Sequence, residues 1–192
     1  MEQIRAFIAI ELPRDIKRTL SDIQSRLKSG SLTPVKWVEP QNLHLTLKFL
    51  GNTDAGKTDA ILKAVTDGIG GARPFTVIIG GPGVFPNPRR PQVVWTGLTG
   101  DIQLLARLQQ GIDSALAPLG FKAETRPFRP HLTIGRVRDS ASPAEREDLG
   151  RLINTVAAAG GHAFAVDAVH LIRSRLTREG PVYTVLGSVP LR

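Results

Sequence analysis

Cysteine is absent from the 192 residues, which removes disulfides, thiolate metal sites and a thiolate nucleophile in one step. Aromatic residues are sparse at 5%, so base stacking of the kind used by single-strand binding modules has few side chains to draw on. Long apolar runs are missing too. Stretches such as IRAFIAI, Ile4 to Ile10, fall well short of the roughly 18 residues a membrane-spanning helix needs. Met1 is followed at once by Glu2, with no basic and then apolar leader, so the chain is expected in the cytoplasm and off the membrane. Neither H-E-x-x-H nor H-x-x-E-H occurs, and no metal or other cofactor is expected.

What is present is positive charge and one repeated word. Lys and Arg number 25 against 17 Asp and Glu, a net charge of +8, and that excess favours phosphate-bearing partners. Only four histidines occur, yet two of them head the same tripeptide, in NLHLTLKFLG (Asn42 to Gly51) and in RPHLTIGR (Arg129 to Arg136). His44 and His131 stand 87 positions apart, close to half the chain.

Periodicity places these words on strands. Ile4 to Glu11 reads as a buried strand, and Arg14 to Lys28 as an amphipathic helix with Ile16, Leu20, Ile23 and Leu27 on one face. Further strands are predicted at Val35–Val38, Leu43–Leu50, Phe75–Ile79, Val93–Gly97, His131–Val137, Phe164–Arg173 and Val182–Val189. Helices are predicted at Thr58–Ile69, from Asp101 as cap to Leu116, and at Pro143–Ala158. GGPGVFPNPRRP, dense in Gly and Pro, predicts an exposed loop with Arg89 and Arg90 at its tip. A motif repeated at half length within such a mixture suggests internal duplication: one α+β domain over residues 1–192, with two lobes and each half giving one HLT strand to a shared cleft.

Side chains alternate along a strand, so His44 and Thr46 share one face while Leu43, Leu45, Leu47 and Phe49 anchor the other, and His131 and Thr133 repeat the arrangement. Histidine can serve as acid or base near neutral pH, and a displacement at phosphorus needs one of each. The threonine hydroxyls can donate to non-bridging phosphate oxygens as negative charge builds up. Lys48, Arg126, Arg129 and Arg136 lie within five residues of a motif histidine. Strict alternation puts Lys48 on the His44 face and Arg136 away from His131, so a direct role for Arg136 requires a bulge. The residues alone leave open which histidine is acid and which is base.

Over nearly the whole chain, in RAFIAIELP, VKWVEPQNLHLTLKFLG, VVWTGL and FKAETRPFRPHLTIGRVR, the sequence resembles the two-histidine (2H) phosphoesterase superfamily. Within it the resemblance is to the RNA 2′,3′-cyclic phosphodiesterases, also called 2′-5′ RNA ligases. The resemblance implies two pseudo-symmetric, mainly antiparallel lobes with outer helices and a central basic cleft. It implies metal-free hydrolysis of cyclic phosphate RNA ends, or of small cyclic nucleotides, to 2′-phosphates, with the reverse 2′-5′ ligation as a secondary activity. His44 would then be the proton donor, His131 the proton acceptor, and Thr46 and Thr133 their partners. Lys48, Arg129, Arg136 and Phe7 are candidate substrate contacts, and a monomer is expected.

Two rival readings remain. GNTDAGKT, Gly51 to Thr58, satisfies the phosphate-cradling pattern G-x-x-x-x-G-K-[ST] between a predicted strand and helix; a nucleotide hydrolase built on it requires a parallel sheet. A non-catalytic RNA-binding module would use the basic cleft alone.

Overall fold

The computed structural model describes residues 2–156 and 161–192. The strand β1 (Gln3–Glu11) is apolar on both faces because it lies inside a sheet, between β3 (His44–Asp54) and β8 (Ala168–Leu176). With β9 (Pro181–Pro190) at its edge, this four-stranded sheet has the order β3-β1-β8-β9. A five-stranded sheet has the order β2-β6-β5-β4-β7, from β2 (Val35–Trp37), β4 (Phe75–Phe85), β5 (Val93–Gly100), β6 (His131–Val137) and β7 (Ala163–Val166). Every strand pair described is antiparallel.

Four α-helices among the described residues complete the core. The apolar stripe predicted for α1 (Arg14–Gly30) is buried as Ile16, Leu20, Ile23 and Leu27. Ile61 and Val65 of α2 (Thr58–Ile69) and Leu105, Ile112 and Leu116 of α3 (Ile102–Leu116) join the same cluster. α4 (Pro143–Ile153) starts with a capping box, in which Ser142 Oγ accepts from Glu145 N–H and the Glu145 carboxylate accepts from Ser142 N–H. No helix among the described residues is long and apolar enough to cross a membrane.

The chain runs through two like units, β1-α1-β3-α2-β4 and β5-α3-β6-α4-β8. Each unit sends its last strand to the other's sheet, β4 onto β5 and β8 onto β1. The lobes are therefore shared between the halves.

Several local expectations change. Phe164–Arg173 is two strands rather than one: β7 ends at Val166, and after Asp167 the chain enters the other sheet as β8. β4 continues through Gly80 to Phe85, so only the second part of the Gly- and Pro-rich stretch is loop. Glycine is needed there because a Cβ at Gly83 would collide with the Trp95 ring packed across it. Asp101 precedes α3, but its carboxylate accepts from Thr76 N–H of β4 at 2.9 Å instead of capping the helix. α4 ends at Ile153, and residues 157–158 of the predicted helix lie outside the described residues. The P-loop reading fails: Gly51–Asp54 extend β3, Lys57 sits in a short 3₁₀ turn, and the sheet is antiparallel.

Candidate active site

The two HLT strands have the same bulge. Opposite β1, the β3 register slips between Ile8 and Ala9, so that Leu47 is an extra residue between Thr46 and Lys48. Opposite β5, β6 slips between Val94 and Trp95, and Ile134 is the extra residue. A bulge of one residue reverses the faces beyond it. Exposure accordingly follows the same sequence from His44 to Leu50 as from His131 to Val137.

Before the bulge, the leucines enter the core while His44, Thr46, His131 and Thr133 stay half-buried on the opposite face. Beyond it, Lys48 is turned inward and 7% exposed. Its ammonium pairs with Asp113 of α3 and donates to Lys122 C=O at 2.8 Å. Its expected place beside His44 is thus reversed. Arg136 is carried by the same reversal onto the His131 face, exposed, and Phe49, expected to anchor the buried face, takes the matching position in β3 at 67% exposure because the bulge turns it outward.

Each imidazole is oriented by the carbonyl two residues before it. His44 Nδ1 lies 2.7 Å from Asn42 C=O and His131 Nδ1 2.6 Å from Arg129 C=O. A carbonyl can only accept, so both rings carry hydrogen on Nδ1 and leave Nε2 to exchange a proton. Aromatic rings back both histidines. Phe7 stacks on His44 with centroids 4.7 Å apart, Tyr183 meets it edge-on at 5.2 Å, and Phe85 meets His131 edge-on at 5.0 Å. Burial lowers the His44 pKa below 6.5, against a raising effect of its bond to Asn42; Lys17 lowers it further and Glu11 raises it.

Sequence reasoning missed Tyr183 because it is brought in from far along the chain. The four-stranded sheet curls, and Asn42 Nδ2 donates to Pro181 C=O at 3.0 Å, fastening the start of β9 beside His44. A cavity of about 300 Å³ opens there, lined by His44, Tyr183, Ile172, Glu11 and Lys17 among others. Burial raises the Tyr183 pKa, while Arg136 and Arg5 pull it down. The phenol remains a donor at neutral pH, and Arg136 of β6 is near enough for its charge to act on it. β3 and β6 approach within 8 Å between Cα atoms.

The remaining candidates are less direct. Phe7 is 4% exposed and supports the His44 ring instead of presenting a face to a ligand. Arg129 acts through its carbonyl, and Arg126 pairs with Glu124 at the surface. His170 shares a hydrogen bond with Ser188 and His162 with Thr19. Among the described residues no three His, Asp or Glu gather as metal ligands.

A family model for LigT like phosphoesterase matches the chain twice, over residues 10–95 and 98–183. The RNA 2′,3′-cyclic phosphodiesterase of Methanothermobacter thermautotrophicus is 41% identical over 182 residues, which is 95% of this chain and 96% of that protein. The one from Methanocaldococcus jannaschii is 33% identical, covering 95% and 98%. Among solved structures, TT0787 of Thermus thermophilus superposes with a TM-score of 0.78 at 28% identity, over 98% of both chains. E. coli LigT, solved with 3′-AMP, gives 0.77 at 27% identity over 99% of both. With both halves matched and the two histidines at equivalent places in them, the chain belongs to the LigT-like phosphoesterase family of the 2H superfamily.

Proposed function

We propose that the protein hydrolyses RNA ends bearing a 2′,3′-cyclic phosphate to 2′-phosphates by acid-base catalysis between His44 and His131. The observation that carries this reading is the matched setting of the two rings: the same motif, the same bulge and the same carbonyl on Nδ1. Full-length relatives named RNA 2′,3′-cyclic phosphodiesterase support the substrate class.

Neutral His131 takes a proton from water through Nε2 as the water oxygen bonds to phosphorus. Protonated His44 gives its proton to O3′ as the P–O3′ bond breaks, leaving the phosphate on O2′. Thr46 and Thr133 donate to the non-bridging oxygens, where charge accumulates. Arg136 supplies a fixed positive charge on the cleft face, and exposed Phe49 offers a ring for a base to stack on. An RNA 5′-hydroxyl in place of water would give 2′-5′ ligation with the same groups. One chain carries both histidines, so a monomer suffices, and a substrate made of RNA ends suits a cytoplasmic protein.

The test is incubation of an oligonucleotide ending in 2′,3′-cyclic phosphate with wild type, His44→Ala and His131→Ala in EDTA. Wild type is expected to give the 2′-phosphate, and each variant to lose at least about 10²-fold in kcat. A 3′-phosphate product would reverse the assigned leaving group. Binding of the oligonucleotide without turnover would identify an RNA-binding module instead.

A further inference from the structure

Cations that the two-histidine chemistry leaves unused gather at one end of the five-stranded sheet. The cross-strand partner of Arg136 on β2 is Lys36, so the two share a face, and both are exposed. On the other side Arg136 pairs with Val93, and Val93 with Phe85. The row thus runs from Lys36 through Arg136 to the mouth of the 86–91 loop, where Arg89 and Arg90 are exposed. It crosses three strand intervals, about 14 Å, wider than one phosphate can span.

That loop is braced from behind. Arg146 of α4 donates Nη1 to Pro91 C=O at 2.8 Å, Nη2 to Arg138 C=O at 2.9 Å and Nε to Ala141 C=O at 3.1 Å. One guanidinium therefore fastens the Arg89–Arg90 loop to the segment leaving β6. Gly150 of α4 lies so near the Pro88 carbonyl that a Cβ would collide with it. Asn87 Oδ1 accepts from the backbone N–H of both Arg89 and Arg90, at 3.0 and 3.1 Å. Among the described residues Lys36, Arg89, Arg90, Arg136 and Arg138 form no ion pair, and exposed Asp139 offsets only part of their charge.

We propose that Lys36, Arg89 and Arg90 extend the cleft, past Arg136, into a track for the phosphodiester backbone of the RNA upstream of its cyclic end. The protein then selects RNA strands over cyclic mononucleotides. This rests on the phosphodiesterase reading. Unpaired cations hold successive phosphates without reading base sequence, and the bracing of the Arg89–Arg90 backbone lowers the entropic cost of the contact.

The experiment compares kcat/KM for 2′,3′-cyclic AMP and for a tetranucleotide ending in 2′,3′-cyclic phosphate, over a range of salt concentrations. Wild type should favour the tetranucleotide. Lys36→Ala, and Arg89→Ala combined with Arg90→Ala, should each cut tetranucleotide kcat/KM by about 5- to 10-fold or more and reduce its salt slope, by about one for the single and about two for the double variant, while cyclic AMP turnover stays unchanged. A wild type without length preference, or variants that slow both substrates equally, would overturn the track. If wild type hydrolyses neither substrate, the phosphodiesterase reading falls first and the track with it.

Discussion

His44 is the residue whose surroundings most directly set its chemistry. Packed under Phe7 and Tyr183, it is harder to protonate than a histidine in water. The protonated form therefore accumulates in the free protein only as pH falls below 6.5. An anion in the cleft favours that form and raises the value. Proton NMR of the His44 ring should give a midpoint below 6.5 in the free protein, moving upward with inorganic phosphate, and Phe7→Ala should bring the free value back toward 6.5 by admitting water. A free midpoint above 6.5 would contradict this account. The same depression has a linked effect on stability. The unfolded chain binds the proton more readily, so the folded state loses stability as pH drops from 6.5 through the lowered value, and no more below it. Urea titrations of His44→Gln should show that part of the stability curve flattened. At this scale the histidines and threonines were legible in sequence, because a repeated word on strand-forming residues fixes which side chains share a face. Tyr183 was not, since nothing local announces that β9 curls back to His44.

At the scale of elements, the bulges decide which cations share a face with the motif histidines. A bulge adds one residue without changing composition, so alternation alone puts Lys48 and Arg136 on the wrong sides. Lys48 has a different part. It stands where the second unit has Gly135, and its pair with Asp113 is almost enclosed, with side-chain exposures of 5% and 14%. The other Asp113 oxygen accepts from Glu124 N–H at 3.2 Å, so the pair ties β3 to the segment that leads toward His131. Lys48→Met would leave the Asp113 charge buried and unpaired, a loss of about 3–5 kcal/mol. Replacing both, Lys48→Met with Asp113→Leu, should recover most of that stability, because two apolar side chains leave no charge to desolvate. Urea unfolding of the single and double variants decides it. A double variant as unstable as Lys48→Met would show that the carbonyl and amide contacts, not the buried charge, carry the cost.

For the whole molecule, duplication was legible from the spacing of the two HLT words, and the family match over residues 10–95 and 98–183 has nearly the same period. The exchange of strands between the units was not legible. Alternation identifies a strand without naming its neighbour, and the break at Asp167 that moves the chain between sheets carries no turn signal in AFAVDAVHL. Exchange has a testable consequence. The 86–91 loop joins the units at an exposed site where a cut removes no strand pairing. Yet β4 of the first fragment needs β5 of the second, and β8 of the second needs β1 of the first. Neither fragment alone keeps the strand pairings that complete its sheets, so each by itself should lack cooperative thermal unfolding by circular dichroism. An equimolar mixture should regain it together with phosphodiesterase turnover, since each fragment brings one of the two HLT histidines. If the mixture failed to regain cooperative unfolding, or if either fragment folded cooperatively alone, the shared-lobe architecture would be wrong.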